Sequence, residues 1–377
     1  MMHILIAPNA FKHSLDAASA AEAISKGFTQ SKLSHTSACF PIGDGGDGTA
    51  DLLIKKFNGS FIETTVHDPL KRKITASFGL IDHERTAVIE LANASGVKLL
   101  QPQELNPLKA TTFGTGELIK HALDKKVKKI FLCIGGSATV DGGAGILQAL
   151  GVQFKQSNTV IDIVPQNLID VDSIDITKLD KRIVNVEVII LCDVENVLLG
   201  ENGSAKIFGP QKGANSADVI KLEQALAKLR SIVLNETGSD MSLIKHGGAA
   251  GGVAAGLCAI LNATLVNGIE YFLDITGFDE ALQNADLLIT GEGSIDTQTL
   301  EGKAPFGVAY RAKEKNIPVI GLAGKVPLKP DAELHRYFDV LLSINNEAAT
   351  LDGALKNTYT NLVRTANELG NLFALKK

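Results

Sequence analysis

Lys129–Gly151 reads KIFLCIGGSATVDGGAGILQALG. Ile130–Ile134 is an apolar run of strand length, and the chain then breaks into a loop holding Gly135, Gly136, Ser137, Thr139, Asp141, Gly142 and Gly143. Ile146, Leu147 and Leu150 follow at helical spacing, and Gly151 marks the helix end. Small loop residues let the backbone pass close to a ligand, and N–H groups at a helix start can face an anion. Asp141 in that setting points to a metal ion or to a proton to be removed. The pattern recurs at Leu287–Gly302, LLITGEGSIDTQTLEG, and again around Asp44. Three acidic, glycine-rich loops point to a binding site rather than to turns that merely join strands.

Outward from these loops, the first sixty residues show a βαβα rhythm: a strand at His3–Ala7, a helix through Ala17, Ile24 and Phe28 that Ser14 can cap, a short strand near Ser37–Phe40, and a helix after IGDGGDGTAD. This is the signature of a mostly parallel sheet covered by helices. Phe61–His67, Lys73–Leu80 and Thr86–Leu91 read instead as consecutive hairpin strands. Val186–Cys192 is a further apolar strand delivering Asp193, and Asp218 can cap the long helix through Val219–Val233. The run Gly247–Gly256, GGAAGGVAAG, permits close backbone approach to a ligand or to another helix. From Leu287 the βαβα rhythm returns. The economical arrangement is one α/β domain built from residues 1–60 and 281–377, interrupted by a second α/β domain at 61–280, with a ligand cleft between them.

The chain has 377 residues, enough for two domains, with 45% apolar and 21% charged residues. A formal charge of −5 gives no footing for nucleic acid or an anionic membrane, although local lysines can still hold a small anion. Cys39, Cys133, Cys192 and Cys258 are far apart and form no CxxC pair, as in a reduced, cytoplasmic protein. The N-terminus lacks the pattern of a signal peptide, and no stretch approaches the ~20 apolar residues that span a bilayer.

Asp141, Asp193, Glu292 and Asp296 each follow an apolar strand within a few residues, where open α/β sheets bind ligands. Carboxylates there suit Mg²⁺ shared with phosphates, or the removal of a hydroxyl proton. Lys12, Lys212 and Lys303 lie among turn residues, where an ammonium can neutralise phosphate or a substrate carboxylate. No P-loop spacing, dinucleotide fingerprint, zinc spacing or GxSxG elbow is present.

In one order along nearly the whole chain stand APNAFK at 7–12, GDGGDGT at 43–49, TFGTGEL at 112–118, IGGSAT at 134–139, CDV at 192–194, GPQKGA at 209–214, TGEG at 290–293, Ile295-Asp296, QTL at 298–300 and Gly302-Lys303. In these motifs the sequence resembles the bacterial type I glycerate kinases. The resemblance implies a flavodoxin-like domain interrupted by a second α/β domain, and phosphorylation of D-glycerate by ATP and Mg²⁺, with 2-phosphoglycerate as product and 3-phosphoglycerate as the alternative isomer. The chain departs from the family's usual residues with Asn9 for aspartate, Asp47 for glutamate, Val140 for asparagine and Ser294 for arginine.

The expected site then combines Asp193, Lys12, Asp44 and Glu292 as catalytic groups, with Asp193 the first choice for base. Gly135, Gly136, Ser137, Thr139 and Lys212 would hold ATP, and Asp141, Asp193 and Asp296 would hold Mg²⁺. Lys12, Ser14, Asp44, Asp47 and Lys303 would hold glycerate. A monomer or homodimer with only small-molecule partners is expected. The rival readings are a kinase for a related small hydroxy acid and a non-catalytic sugar-acid or nucleotide binding protein.

Overall fold

The computed structural model describes residues 1–329 and 331–375. They divide into two compact units, Met1–Asp44 with the chain from Asn267, and Gly45–Val266.

The first unit is built on a five-stranded sheet in the order Val340–Ser343, Val319–Lys325, Leu287–Ser294, Met2–Ile6, His35–Cys39. Every neighbouring pair is parallel. Ile4, Leu5 and Ile6 are all fully buried, so this strand reads as a continuous apolar run, as expected where helices cover both faces of a parallel sheet. Helices Ala17–Gln30 and Thr358–Ala374 contribute Ile24, Phe28, Leu362 and Ala366 to the same core as Ile4, Ile6 and Ile289. Asp16, not Ser14, caps the first of these helices, because its carboxylate accepts the Ser19 N–H at 2.8 Å.

The second unit carries a six-stranded sheet in the order Thr264–Asn267, Glu187–Cys192, Lys129–Cys133, Thr86–Glu90, Lys73–Ile81, Ser60–His67. The last three strands are antiparallel neighbours, joined as the hairpin pattern predicts. Thr86–Glu90, Lys129–Cys133 and Glu187–Cys192 run parallel, and their register brings Glu90 beside Cys133, so the three end close together. The stretch after Gly151 forms a small antiparallel sheet of Thr159–Ile161, Gln153–Gln156 and Ser173–Asp175. Asn215, not Asp218, caps the long helix Ser216–Thr237, and Asp218 instead accepts the Asn215 N–H to complete a capping box.

The unit boundaries fall at 44 and 266 rather than at 60 and 280. Helix Thr49–Lys56 belongs to the second unit because Ile54 packs against Gly79 of strand Lys73–Ile81. Helices Gly268–Thr276 and Phe278–Leu282 belong to the first, where the buried Arg311 bonds Glu270, Asp274 and Asp279. Among the described residues no helix is long and apolar enough to cross a membrane.

Candidate active site

In the first unit, the chain leaving Met2–Ile6 runs on beside its neighbour Leu287–Ser294. Ala7 N donates to Ile289 O at 2.7 Å and Asn9 N to Gly291 O at 2.8 Å. Asn9 Nδ2 donates to Asp44 Oδ2 at 2.9 Å, while its Oδ1 accepts the Ala10 N–H at 2.8 Å. Asp44 is thus oriented by an amide, and it lies close enough to Glu292 for their charges to interact. Glu292 is only 9% exposed and accepts a hydrogen bond from Thr299 Oγ1 at 3.2 Å. Burial pushes its carboxyl up to about 7. The Lys303 charge opposes that rise, Asp44 adds to it, and the Thr299 hydroxyl and Lys12 oppose it more weakly. A carboxylate in this range changes protonation near neutral pH, as a general base must.

Lys303 is half-buried at the N-cap of helix Ala304–Glu314, and Lys12 is exposed, its backbone N 3.7 Å from where a Cβ on Gly293 would sit. Asp296 is half-buried; its Oδ1 accepts the Gln298 N–H at 3.0 Å, and its Oδ2 lies 3.5 Å from Ser294 Oγ. Ser14, expected at the substrate, is turned to other work. Its hydroxyl bonds Leu355 O and Thr358 Oγ1 and fastens its loop to the C-terminal helices.

In the second unit, the glycine loop after Lys129–Cys133 is held from several sides. Gly135 N donates to Gly45 O at 3.0 Å, Ala138 N to Ser95 O at 2.9 Å, and Val97 N to Gly136 O at 2.9 Å. Lys212 is 4% exposed and reaches under the loop, its Nζ donating to Ser137 Oγ and Thr139 O, each at 2.7 Å. Burial pushes its ammonium down to about 7, partly offset by the charge of Asp141. Two of its three N–H donors therefore hold the loop itself. The Thr139 hydroxyl is buried with no partner among the described residues. The run Gly247–Gly256 backs the same loop. Gly251 accepts the Gly142 N–H at 2.9 Å, and a Cβ at Gly251 (φ +76°) would sit 2.0 Å from Thr139 O. Close approach there is to backbone, which answers why the run is so small.

Asp141 is 1% exposed, and its oxygens already serve the chain. Oδ2 accepts Thr112 N and Oγ1, both at 2.8 Å, and Gly145 N at 3.2 Å; Oδ1 accepts Gly143 N at 3.0 Å. Burial raises its carboxyl, and these donors oppose the rise. The arrangement is that of an anchor tying the glycine loop and helix start to Thr112, and it does not fit the metal-ligand role expected of Asp141. Asp193 follows strand Glu187–Cys192 and is half-buried. Asp47 pairs with Lys98 Nζ at 2.8 Å on the second unit's side of the boundary, so GDGGDGT divides its two acids between the units.

Several residues in these contacts are absent from the sequence-derived set. Thr299 and Thr112 supply hydroxyls to the two carboxylates, and Glu90 with Lys98 surrounds Asp47. Glu90 carried a usable signal: a charged residue closing an apolar strand, the feature that marks Asp193. Thr112 carried none, since its partner Asp141 lies 29 positions away, whereas Thr299 lies only seven positions from Glu292.

The model of the glycerate kinase family matches residues 4–374 of this chain. A glycerate kinase of Bacillus subtilis is 42% identical over 100% of this chain and 99% of its own length. The glycerate 2-kinase of Escherichia coli K12 is 38% identical over 99% of this chain and 98% of its own. The crystal structure of a protein from Salmonella typhimurium LT2, described as a glycerate kinase 2, superposes with a TM-score of 0.83 at 40% identity, covering 99% of this chain and 98% of that one. The chain belongs to the glycerate kinase family.

Proposed function

We propose that this enzyme transfers the terminal phosphoryl group of ATP to D-glycerate, giving 2-phosphoglycerate. Family membership supports the reaction, and the name of the Escherichia coli relative, a glycerate 2-kinase, supports the position of transfer. The observation that carries the mechanism is Glu292: a buried carboxylate flanked by the charges of Lys303, Asp44 and Lys12, titrating near neutrality.

In this reading Glu292 takes the proton of the acceptor hydroxyl as the phosphoryl group arrives, which replaces Asp193 as first choice for base. Lys12 and Lys303 offset the acceptor carboxylate and the charge on the transferring group. Asp44, held by Asn9, orients the hydroxyl. Gly136, Ser137 and Thr139 bind the nucleotide phosphates through backbone N–H groups and hydroxyls, while Gly135, whose N–H is held by Gly45 O, shapes the loop; the Thr139 hydroxyl, buried without a partner among the described residues, suits such a ligand. Bound Mg²⁺ would neutralise phosphate charge, and it needs only one or two protein carboxylates when phosphate and water supply the rest. Asp193 and Asp296 have the right hard-oxygen donors, and they suit the role better than Asp141, whose buried oxygens already accept backbone and hydroxyl donors.

The five parallel strands of the first unit stand, in chain order, as 2-1-3-4-5, which supports a flavodoxin-like topology. Its two chain segments flank residues 45–266, which supports the reading of that unit as an insertion. Small-molecule partners and a cytoplasmic location belong to the same proposal. The test is incubation with ATP, Mg²⁺ and D-glycerate, with the product resolved by ³¹P NMR. 2-Phosphoglycerate is expected. ATP left unconsumed in the presence of D-glycerate would overturn the proposal, and 3-phosphoglycerate would overturn its regiochemistry.

A further inference from the structure

Glu90 closes strand Thr86–Glu90 and is 3% exposed. Its Oε2 accepts the Gly48 N–H at 2.9 Å and the Ala50 N–H at 3.4 Å. Those two amides start helix Thr49–Lys56, whose cap residue Gly48 supplies no side-chain bond of its own. Glu90 thus caps this helix from a different element, and Lys98 holds its carboxyl beside that of Asp47. Two ionised carboxylates have only acceptors to offer each other, so a direct bond between them requires one proton. Lys98 Nζ lies 2.8 Å from Asp47 Oδ1 and 3.4 Å from Glu90 Oε1, and it also donates to Asn93 Oδ1 at 3.2 Å. With one proton held, the two acids and one ammonium sum to zero charge. The same loop meets the glycine loop directly: Gly45 O accepts the Gly135 N–H at 3.0 Å, and a Cβ on Gly135 would lie 2.4 Å from Gly46 Cα.

We propose that Glu90 is a positioning residue for the reaction: through one proton shared with Asp47 it fixes the Gly45–Thr49 loop against the Gly135–Ser137 loop, and it loosens that loop when the proton leaves. The proposal rests on the kinase reading for its kinetic consequence but not for its structural one. The electrostatics agree with it. Burial pushes the Glu90 carboxyl up to about 8, and the Asp47 bond and charge add to that rise. The Lys98 charge and the Gly48 N–H oppose it. Asp47 and Lys98 are the charged groups that act on Glu90 from the neighbouring loop and the segment after the strand. A carboxyl raised in the folded state binds more protons there than in the unfolded chain. Its contribution to stability is full below the unfolded pKa of about 4.5 and is lost as pH rises through about 8.

Two measurements test this on the full-length protein. Hydrogen exchange of the Gly48 and Ala50 amides, corrected for intrinsic rate, needs neither ATP nor glycerate. In the parent, protection is expected to fall about tenfold as pH passes about 8, because the lost bond to Asp47 and the new repulsion between the two carboxylates outweigh the stronger acceptor that ionised Glu90 offers Gly48, and in Glu90→Ala to be low at every pH. Glu90→Gln, which keeps an acceptor for Gly48 and a donor for Asp47, is expected to retain protection with no alkaline loss. The profile of kcat/KM for glycerate against pH should show the same pattern. Glu90→Ala should lose roughly 10- to 100-fold at pH 7, and Glu90→Gln should recover most of that loss without the alkaline limb. Overlapping exchange profiles in parent and Glu90→Gln, or full protection in Glu90→Ala, would overturn the proposal. A parent without glycerate-dependent turnover would sink the kinase reading and leave the exchange measurement standing.

Discussion

Asp141 and Glu292 each follow an apolar strand in a glycine-rich loop, one in each unit, and both are buried. Their oxygens are used differently. Asp141 accepts backbone N–H groups from Thr112, Gly143 and Gly145 together with the Thr112 hydroxyl. Glu292 accepts one hydroxyl, from Thr299, and faces the charges of Lys303, Lys12 and Asp44. Burial raises both carboxyls, so burial alone does not separate an anchor from a reacting group. The distinction lies in how many donors the fold supplies. A carboxylate filled by backbone amides is fixed in place, and one left with a single hydroxyl and nearby ammonium groups has oxygens to offer.

The contrast can be broken by removing the anchor. Asp141→Ala would leave backbone amides unpaired and Lys212 buried without its counter-charge, a loss of about 3–5 kcal/mol. The melting temperature should fall by roughly 10 °C, measured by calorimetry on the full chain. A change of a degree or two would show that Asp141 is not an anchor.

A second prediction concerns pH. If Glu292 must be ionised to act, kcat/KM should fall about tenfold per pH unit below about 7, reaching roughly 100-fold at pH 5. Stability should move the opposite way. A carboxyl raised in the folded state contributes most below the unfolded pKa of about 4.5, and that contribution is lost as pH rises through about 7. Denaturant titrations across that window read it. Lys303→Met sharpens the point, because Lys303 is the largest influence holding the Glu292 carboxyl down. The acid limb should shift to higher pH, and an unmoved limb would remove Lys303 from the site.

The smallest effect expected is at Ala250, which adopts φ +53° within a left-handed run ahead of Gly251 and Gly252. Ala250→Gly should relieve that conformation and stabilise the second unit by about 0.5–1 kcal/mol, read from denaturant midpoints. Gly251→Ala should destabilise by more than that, about 1–3 kcal/mol, since its Cβ would sit 2.0 Å from the Thr139 backbone O.

Much of this was legible in the residues. The hairpin pattern of 61–91, the strand ending at Asp193 and the motifs from Ala7 to Lys303 could be read before any coordinates. The division of labour between the acids could not. The donor that pins Asp141 comes from Thr112, 29 positions away, and the amide that Glu90 receives lies 42 positions away. Periodicity describes neighbours along one element and is blind to such pairs. Helix Thr49–Lys56 shows the same limit: its apolar face says that it packs on something, but only Ile54 against Gly79 says on which sheet. In sequence Ser14 stands as the cap of the first helix, and the helix start at Ala17 decides for Asp16.

The most direct test of the contrast is turnover per folded molecule, with ATP, Mg²⁺ and D-glycerate, in Glu292→Gln. The account predicts a fall of roughly 100- to 10,000-fold with the melting temperature within a few degrees of the parent, the pattern of a lost base in an intact fold. Turnover within a few-fold of the parent would contradict it and return the search for the base to Asp193.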